Sequence, residues 1–155
     1  MQRTIEKVSF DMPVQPKALK VAAYTRVSSG KDEMLHSLSA QISYYNDMIQ
    51  KHPGWIYAGV YSDEAKTGTK ESRPGFQKMI RDCKAGKIDL VIVKSISRFA
   101  RNTVTMLETV RELRGLGVDI FFEKQNIHTL SSEGELMLTI LASYAQEESF
   151  SAREN

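Results

Sequence analysis

Hydrophobic and polar positions fall in blocks along this chain, and the block boundaries predict its elements. Val21-Ala22-Ala23-Tyr24 is a short apolar run fit for a buried strand. It passes into Thr25-Arg26-Val27-Ser28-Ser29-Gly30, whose small residues and glycine predict a loop. Ser28 is therefore expected just past a strand's carboxyl end. From about Leu38 the apolar positions 38, 42, 45, 48 and 49 keep helical spacing until Pro53-Gly54 halts them, and Trp55 to Tyr61 reads as a second strand. Ser62 to Arg73 is polar and glycine-bearing, the composition of a long mobile loop. Pro74 suits a first helical position, and Phe76, Met79, Ile80 and Cys83 follow on one face up to Gly86.

Ile88 to Val93 is the strongest strand signal, dense in β-branched residues, and is expected to be central and buried on both faces. After Lys94 to Asn102 comes a helix with Val104, Leu107, Val110 and Leu113 inward, ended by Gly115 or Gly117, and then a strand from Val118 to Glu123. Ser132 with Glu135 three residues on has the capping-box pattern. It opens a long helix with Leu136, Met137, Ile140, Leu141, Tyr144 and Ala145 on one stripe. Strands alternating with helices predict an α/β fold: an open, mostly parallel β-sheet with helices on both faces, its sites at the strands' carboxyl ends. Residues 1–19 hold Pro13 and Pro16 without a sustained period and read as an extended or mobile arm, leaving 20–155 as one domain.

Composition narrows the classes. With 41% hydrophobic and 26% charged residues, the 155-residue chain is an ordinary globular domain and not a disordered one. The net charge of +2 is too mild to argue for nucleic acid by itself, so any such case rests on placed residues. No apolar run approaches a membrane span and no signal peptide opens the chain, which predicts a cytoplasmic protein. Cys83, His36, His52 and His128 show no metal-ligand spacing, and neither a metal nor another cofactor is expected.

The chemistry-bearing residues cluster at predicted strand ends: Tyr24, Arg26 and Ser28 after the first strand, Asp63 after the second, Arg98 and Arg101 after the third. Arg73 closes the polar loop. Arg98 and Arg101 are three apart, so on a helix both guanidinium groups project from one face. Guanidinium groups match phosphate oxygens and stay charged at any working pH, so several arginines around one serine describe a site for a phosphodiester. Ser28 would attack phosphorus while the arginines stabilise charge gathering on the non-bridging oxygens. No histidine is placed to serve as its general base.

Taken singly, each of these residues has a bland reading: a serine after a strand is usually a turn residue, and an arginine usually a solvated charge. Two rivals follow. Ser28-Ser29-Gly30-Lys31 and Lys66-Thr67-Gly68 match short motifs of β-lactamases, but Ser62-Asp63-Glu64 departs from that pattern and the chain is too short for that fold's two regions. The other rival is a non-catalytic DNA- or phosphate-binding module that dimerises through the apolar helix. Neither a Gly-x-Gly-x-x-Gly nor a Walker A sequence is present.

The joint pattern resembles the serine recombinases, the resolvase and invertase group of site-specific DNA recombinases. Tyr24-Thr25-Arg26-Val27-Ser28 looks like their Tyr-x-Arg-Val-Ser nucleophile motif, Ser37-Leu38-Ser39-Ala40-Gln41 their Ser-Leu-x-x-Gln, and Tyr61-Ser62-Asp63 their strand-end aspartate. Ser72-Arg73-Pro74-Gly75-Phe76 resembles their Arg-x-Gly segment. Leu90 to Lys94 with Ser97-Arg98-Phe99-Ala100-Arg101-Asn102 resembles the strand and Asp-Arg-Leu-x-Arg motif, and Ala145-Gln146-Glu147-Glu148 their Ala-Gln-x-Glu. Ser97 stands where many small resolvases carry aspartate, and the wording around it looks more like the large recombinases of integrative elements.

The resemblance implies Ser28 as nucleophile, with Arg26, Arg73, Arg98 and Arg101 on the scissile phosphate, Tyr24, Gln41 and Asp63 in support, and Lys94 among the DNA contacts. It implies cleavage of double-stranded DNA through a phosphoserine link, strand exchange and religation without a high-energy cofactor. Subunits would pair through the last helix and form tetramers at synapsis. Zinc-ribbon and other DNA-binding domains would follow a catalytic domain of this kind, so the chain reads as a catalytic-domain piece ending within that helix. The polar loop is expected to be mobile without DNA and to close so as to bring Arg73 in.

Overall fold

The computed structural model describes residues 18–28, 32–65, 73–99 and 102–154; for residues 28, 32–37, 65 and 144–154 it describes the backbone path. Its elements are β1 (Leu19–Ser28), α1 (Asp32–Lys51), β2 (Trp55–Ala65), α2 (Pro74–Lys84), β3 (Leu90–Val93), α3 (Ile96–Phe99), α4 (Thr103–Gly115), β4 (Asp119–Phe122), β5 (Ile127–His128) and α5 (Ser132–Glu154). The sheet runs β2-β1-β3-β4-β5, parallel throughout except for the antiparallel β4–β5 pair. The expected open, mostly parallel sheet is what forms.

Side chains along β1 and β3 alternate between two cores, as the two-residue period of a strand requires. Val21, Ala23, Leu90 and Ile92 pack with Tyr45 and Ile49 of α1. Ala22, Tyr24, Val91 and Val93 face the other way, onto Met79 and Cys83 of α2 and Met106, Leu107, Val110 and Leu113 of α4. Helices therefore cover both faces. β3 is buried at every position, which explains its unbroken apolar run.

The boundaries differ from expectation where polar residues continue a regular element. β1 does not stop at Tyr24; Thr25, Arg26, Val27 and Ser28 stay paired with Ser62, Asp63, Glu64 and Ala65, so both strands run four residues further than hydrophobicity implies. The parallel ladder satisfies the backbone there whatever the side chains are. Ser28 is thus the last residue of β1 and not a loop residue, and the first part of the expected loop is strand. Lys66 to Ser72 lie outside the described residues, as do residues 1–17 of the expected arm. Likewise α1 begins at Asp32 and not near Leu38, because acidic residues suit a helix N-terminus while the apolar period registers only the part that meets the sheet.

The two-residue β5 carried no sequence signal of its own. It exists because the turn from Glu123 to Asn126, with Asn126 at φ 55°, folds the chain back onto β4. The capping box expected of Ser132 and Glu135 does not form. Ser131 caps α5, its Oγ accepting from Gly134 N at 3.0 Å, and Glu135 instead holds Arg114 of α4 at 3.1 Å. α4 ends as expected, with Gly117 in the left-handed region at φ 79° just beyond it.

Candidate functional site

β1 carries Tyr24 and Arg26 two positions apart, Tyr24 on the side of the sheet that α2, α3 and α4 cover, and it ends at Ser28. Tyr24 is fully buried and its hydroxyl donates to Asp63 Oδ2 at 2.7 Å. Asp63, in register with Arg26 on the neighbouring strand, is itself buried, and it takes two more hydrogen bonds: Gly75 N on Oδ1 at 2.8 Å and Phe76 N on Oδ2 at 2.9 Å. These amides belong to the first turn of α2 and have no partner within the helix. A carboxylate reaching across from β2 thus caps α2 and meets the positive end of its dipole.

The cap requires glycine. A Cβ at position 75 would stand 2.3 Å from the Ser62 carbonyl oxygen and 3.0 Å from Asp63 Oδ1, so no other residue lets α2 approach the β2 backbone this closely. What the cap fixes is Arg73, the residue just before the helix. Arg73 Nε donates to the Tyr24 hydroxyl at 3.2 Å, and a terminal N–H donates to the Phe99 carbonyl. Its guanidinium lies over the Phe76 ring, 3.9 Å from the centroid, a cation–π contact worth about 0.5–2 kcal/mol. Phe76 in turn meets Tyr24 and Phe99 edge to face. Arg73 is therefore held against β1 and α3.

Tyr24 stays protonated. Burial, then its hydrogen bond to Asp63, drives its ionisation well above the ordinary tyrosine value, with Arg73 pulling weakly the other way. A neutral hydroxyl can donate to Asp63 while accepting from Arg73, which makes it the link between the two.

Arg98 rides on α3, a single turn just beyond the end of β3, and its Nη1 donates to the Arg26 carbonyl at 3.1 Å. Arg26 is 7% exposed, a depth at which a guanidinium needs partners. Arg26, Arg98, Ser95, Ser97 and Lys124 line a cleft of about 640 Å³ at the carboxyl end of the sheet. Ser97 shares a 3.0 Å hydrogen bond with Ser95 there. α3 ends at Phe99 and α4 opens at Thr103, with Asn102 Oδ1 capping it through Thr105 N at 3.0 Å. Arg101, expected to share a helical face with Arg98, lies between them outside the described residues.

Gln41 and Lys94 occupy the other side of the sheet. They line a neighbouring cleft of about 790 Å³ with Tyr44, Tyr45, Glu123 and Lys124, below α1. Tyr24, Arg26, Asp63, Arg73 and Arg98 are thus brought together, while Gln41 and Lys94 stand one cleft away. Sequence reading did not single out Phe76 or Phe99 for the site, nor Gly75's part in it. Phe76 read as an ordinary helix-face residue, and a backbone carbonyl such as that of Phe99 has no sequence signature.

The chain is similar to known proteins in sequence and in fold. The family model described as "Resolvase, N terminal domain" matches residues 21–155. The Tn3 transposon resolvase of Escherichia coli is 28% identical over 130 residues, 84% of this chain and 64% of that protein, so the chain spans just under two thirds of that relative's length. A resolvase family site-specific recombinase from Streptococcus pneumoniae superposes with a TM-score of 0.72 at 32% identity, covering 87% of this chain and 91% of that one. The N-terminal catalytic domain of TP901-1 integrase does so at 0.59 and 30%, covering 83% and 95%. A match of the family model over nearly the whole described sheet, with relatives in sequence and in structure, places this chain in the serine recombinase family, as a resolvase-type catalytic domain.

Proposed function

We propose that this chain is the catalytic domain of a site-specific DNA recombinase, in which Ser28 attacks a backbone phosphorus and Arg26, Arg73, Arg98 and Arg101 hold the phosphate. One ester bond forms between Ser28 and phosphorus, the bond to a sugar oxygen breaks, and the serine's proton ends on the displaced sugar hydroxyl. The phosphodiester is conserved in the phosphoserine link, so reversal rejoins a strand without ATP. The observation that carries this reading is the gathering of Arg26, Arg73 and Arg98 at the carboxyl end of the sheet, where β1 ends in Ser28. Guanidinium donors placed in advance stabilise charge that grows in the transition state, and loss of one donor typically costs on the order of 100-fold or more in rate.

The test uses the full-length protein with DNA from the ends of its own element, nicked to trap cleavage, on a denaturing gel. Wild type and Ser29→Ala should carry DNA covalently, and Ser28→Ala should not. Binding without any adduct from wild type would replace this reading with the non-catalytic module.

We infer further that subunits pair through α5. Leu136 and Ile140 are 62% and 48% exposed one turn apart, an apolar face the domain's own core does not use, while Met137 and Leu138 point into it. Glutamate at both exposed positions should shift the protein to a smaller species in sedimentation without lowering its melting temperature. An unchanged oligomeric state would remove this inference.

A further inference from the structure

We propose that Lys94 and Lys124 form a second phosphate seat, which holds the DNA backbone beside the arginine-lined cleft. This rests on the reading that the chain binds DNA, and adds to it where the strand runs and which side chain sequence analysis overlooked. Lys94 directly follows β3. Lys124 is the second residue of the turn after β4, and its amide donates to the Lys94 carbonyl at 2.8 Å, one step beyond the Glu123 N to Val93 O bond of 2.9 Å. The pairing of β3 with β4 ends at Val93 and Phe122, and these two bonds hold the Lys94 and Lys124 backbones close together just past it.

Both side chains are exposed, and neither makes an ion pair or a side-chain hydrogen bond with a described residue. That separates them from Lys51, Lys84 and Lys87, which hold Asp47, Glu112 and Asp82. Glu123 lies between them in the same cleft, but its Oε1 accepts from the Tyr45 hydroxyl on α1. Two ammonium groups that line one cleft, with no described carboxylate paired to either, repel each other, and an anion between them turns that repulsion into attraction. Lys124 also lines the cleft that holds Arg26 and Arg98. Lys124 thus stands between the arginine cleft and Lys94, and a DNA backbone, whose phosphates recur at regular intervals, is an anion that matches a series of cations.

The experiment measures binding of the protein to a labelled duplex of mixed sequence from about 50 to 200 mM salt. Lys94→Ala and Lys124→Ala should each make the slope of log affinity against log salt shallower by about 0.9, and the double variant by about twice that. Lys78→Ala, which removes an exposed and likewise unpaired lysine on α2, should leave the slope unchanged. Arg98→Ala reports separately on the arginine cleft. If Arg98→Ala flattens the slope and the lysine variants do not, the second seat is overturned and the DNA reading stands. If Lys78→Ala flattens it equally, the effect is diffuse charge and the seat is again overturned. Failure of wild type to bind duplex overturns both. Melting temperatures should be equal for all variants, with Lys→Gln replacements repeating the measurement for any that differs.

Discussion

The two faces of β1 show how one strand serves two ends. On the α1 side, Val21 and Ala23 meet Tyr45 and Ile49, and the packing is apolar. On the α2 side the same strand moves within five residues from Ala22, through the hydrogen-bonded hydroxyl of Tyr24, to the buried charge of Arg26. Burial is equally deep on both sides, but what stabilises it differs. Apolar contact on the first face tolerates small shifts, whereas the second depends on directional bonds from Asp63 to Tyr24, Gly75 and Phe76, each of which costs more when broken than it contributed when made. The first face should therefore respond to substitution in stability alone, and the second chiefly in the geometry of Arg73.

The largest stability effect is expected on the apolar face. Ile49→Ala empties a fully buried position and should cost about 2–5 kcal/mol in denaturant unfolding. Cleavage per folded molecule should be unchanged, and a specific loss of cleavage would break the division between the faces. Gly75→Ala comes next. Its Cβ presses on the Ser62 carbonyl, so α2 must shift, at about 1–3 kcal/mol. Here cleavage should fall further than unfolding explains, because Arg73 moves with the helix. Normal activity in a destabilised Gly75→Ala protein would show that the cap does not aim Arg73.

Tyr24→Phe is the smallest change, removing one hydroxyl from Asp63 and Arg73 for about 0.5–1.5 kcal/mol. Its pH signature follows from the raised tyrosine ionisation. The protonated form is favoured in the folded state, so this stabilisation is present below the unfolded value near 10 and is lost as pH rises above it. Tyr45 and Tyr61, also raised by burial and then by Glu123 and Asp82, add to the alkaline loss. Tyr24→Phe should therefore melt with a shallower decline above about pH 10 than wild type, and identical curves would remove Tyr24 from that account.

Much of this was legible in the chain. The unbroken run at β3 and the helical spacing around Val110 were enough to place an open, mostly parallel sheet, and the positions of Arg26, Arg73 and Arg98 relative to the strands anticipated that they gather at its carboxyl end. The errors at the strand ends share one cause. Hydrophobicity reports which residues meet a core, so it ended β1 at Tyr24 and β2 at Tyr61, although the ladder continues through Ser28 and Ala65. The cap of α5 is a separate case: the Ser-x-x-Glu spacing pointed to Ser132, and the backbone put Ser131 at the cap.

The sequence by itself determined which residues carry charge and chemistry, and the order in which strands and helices follow one another, since both are properties of local composition and period. Only the tertiary structure decided that Asp63 caps α2 from another strand, that Gly75 is needed for that approach, and that Arg73 bonds Tyr24 and the Phe99 carbonyl. It also decided that the Lys94 and Lys124 backbones lie close together. These are contacts between residues distant in sequence, made through backbone groups common to every residue, so no local pattern encodes them.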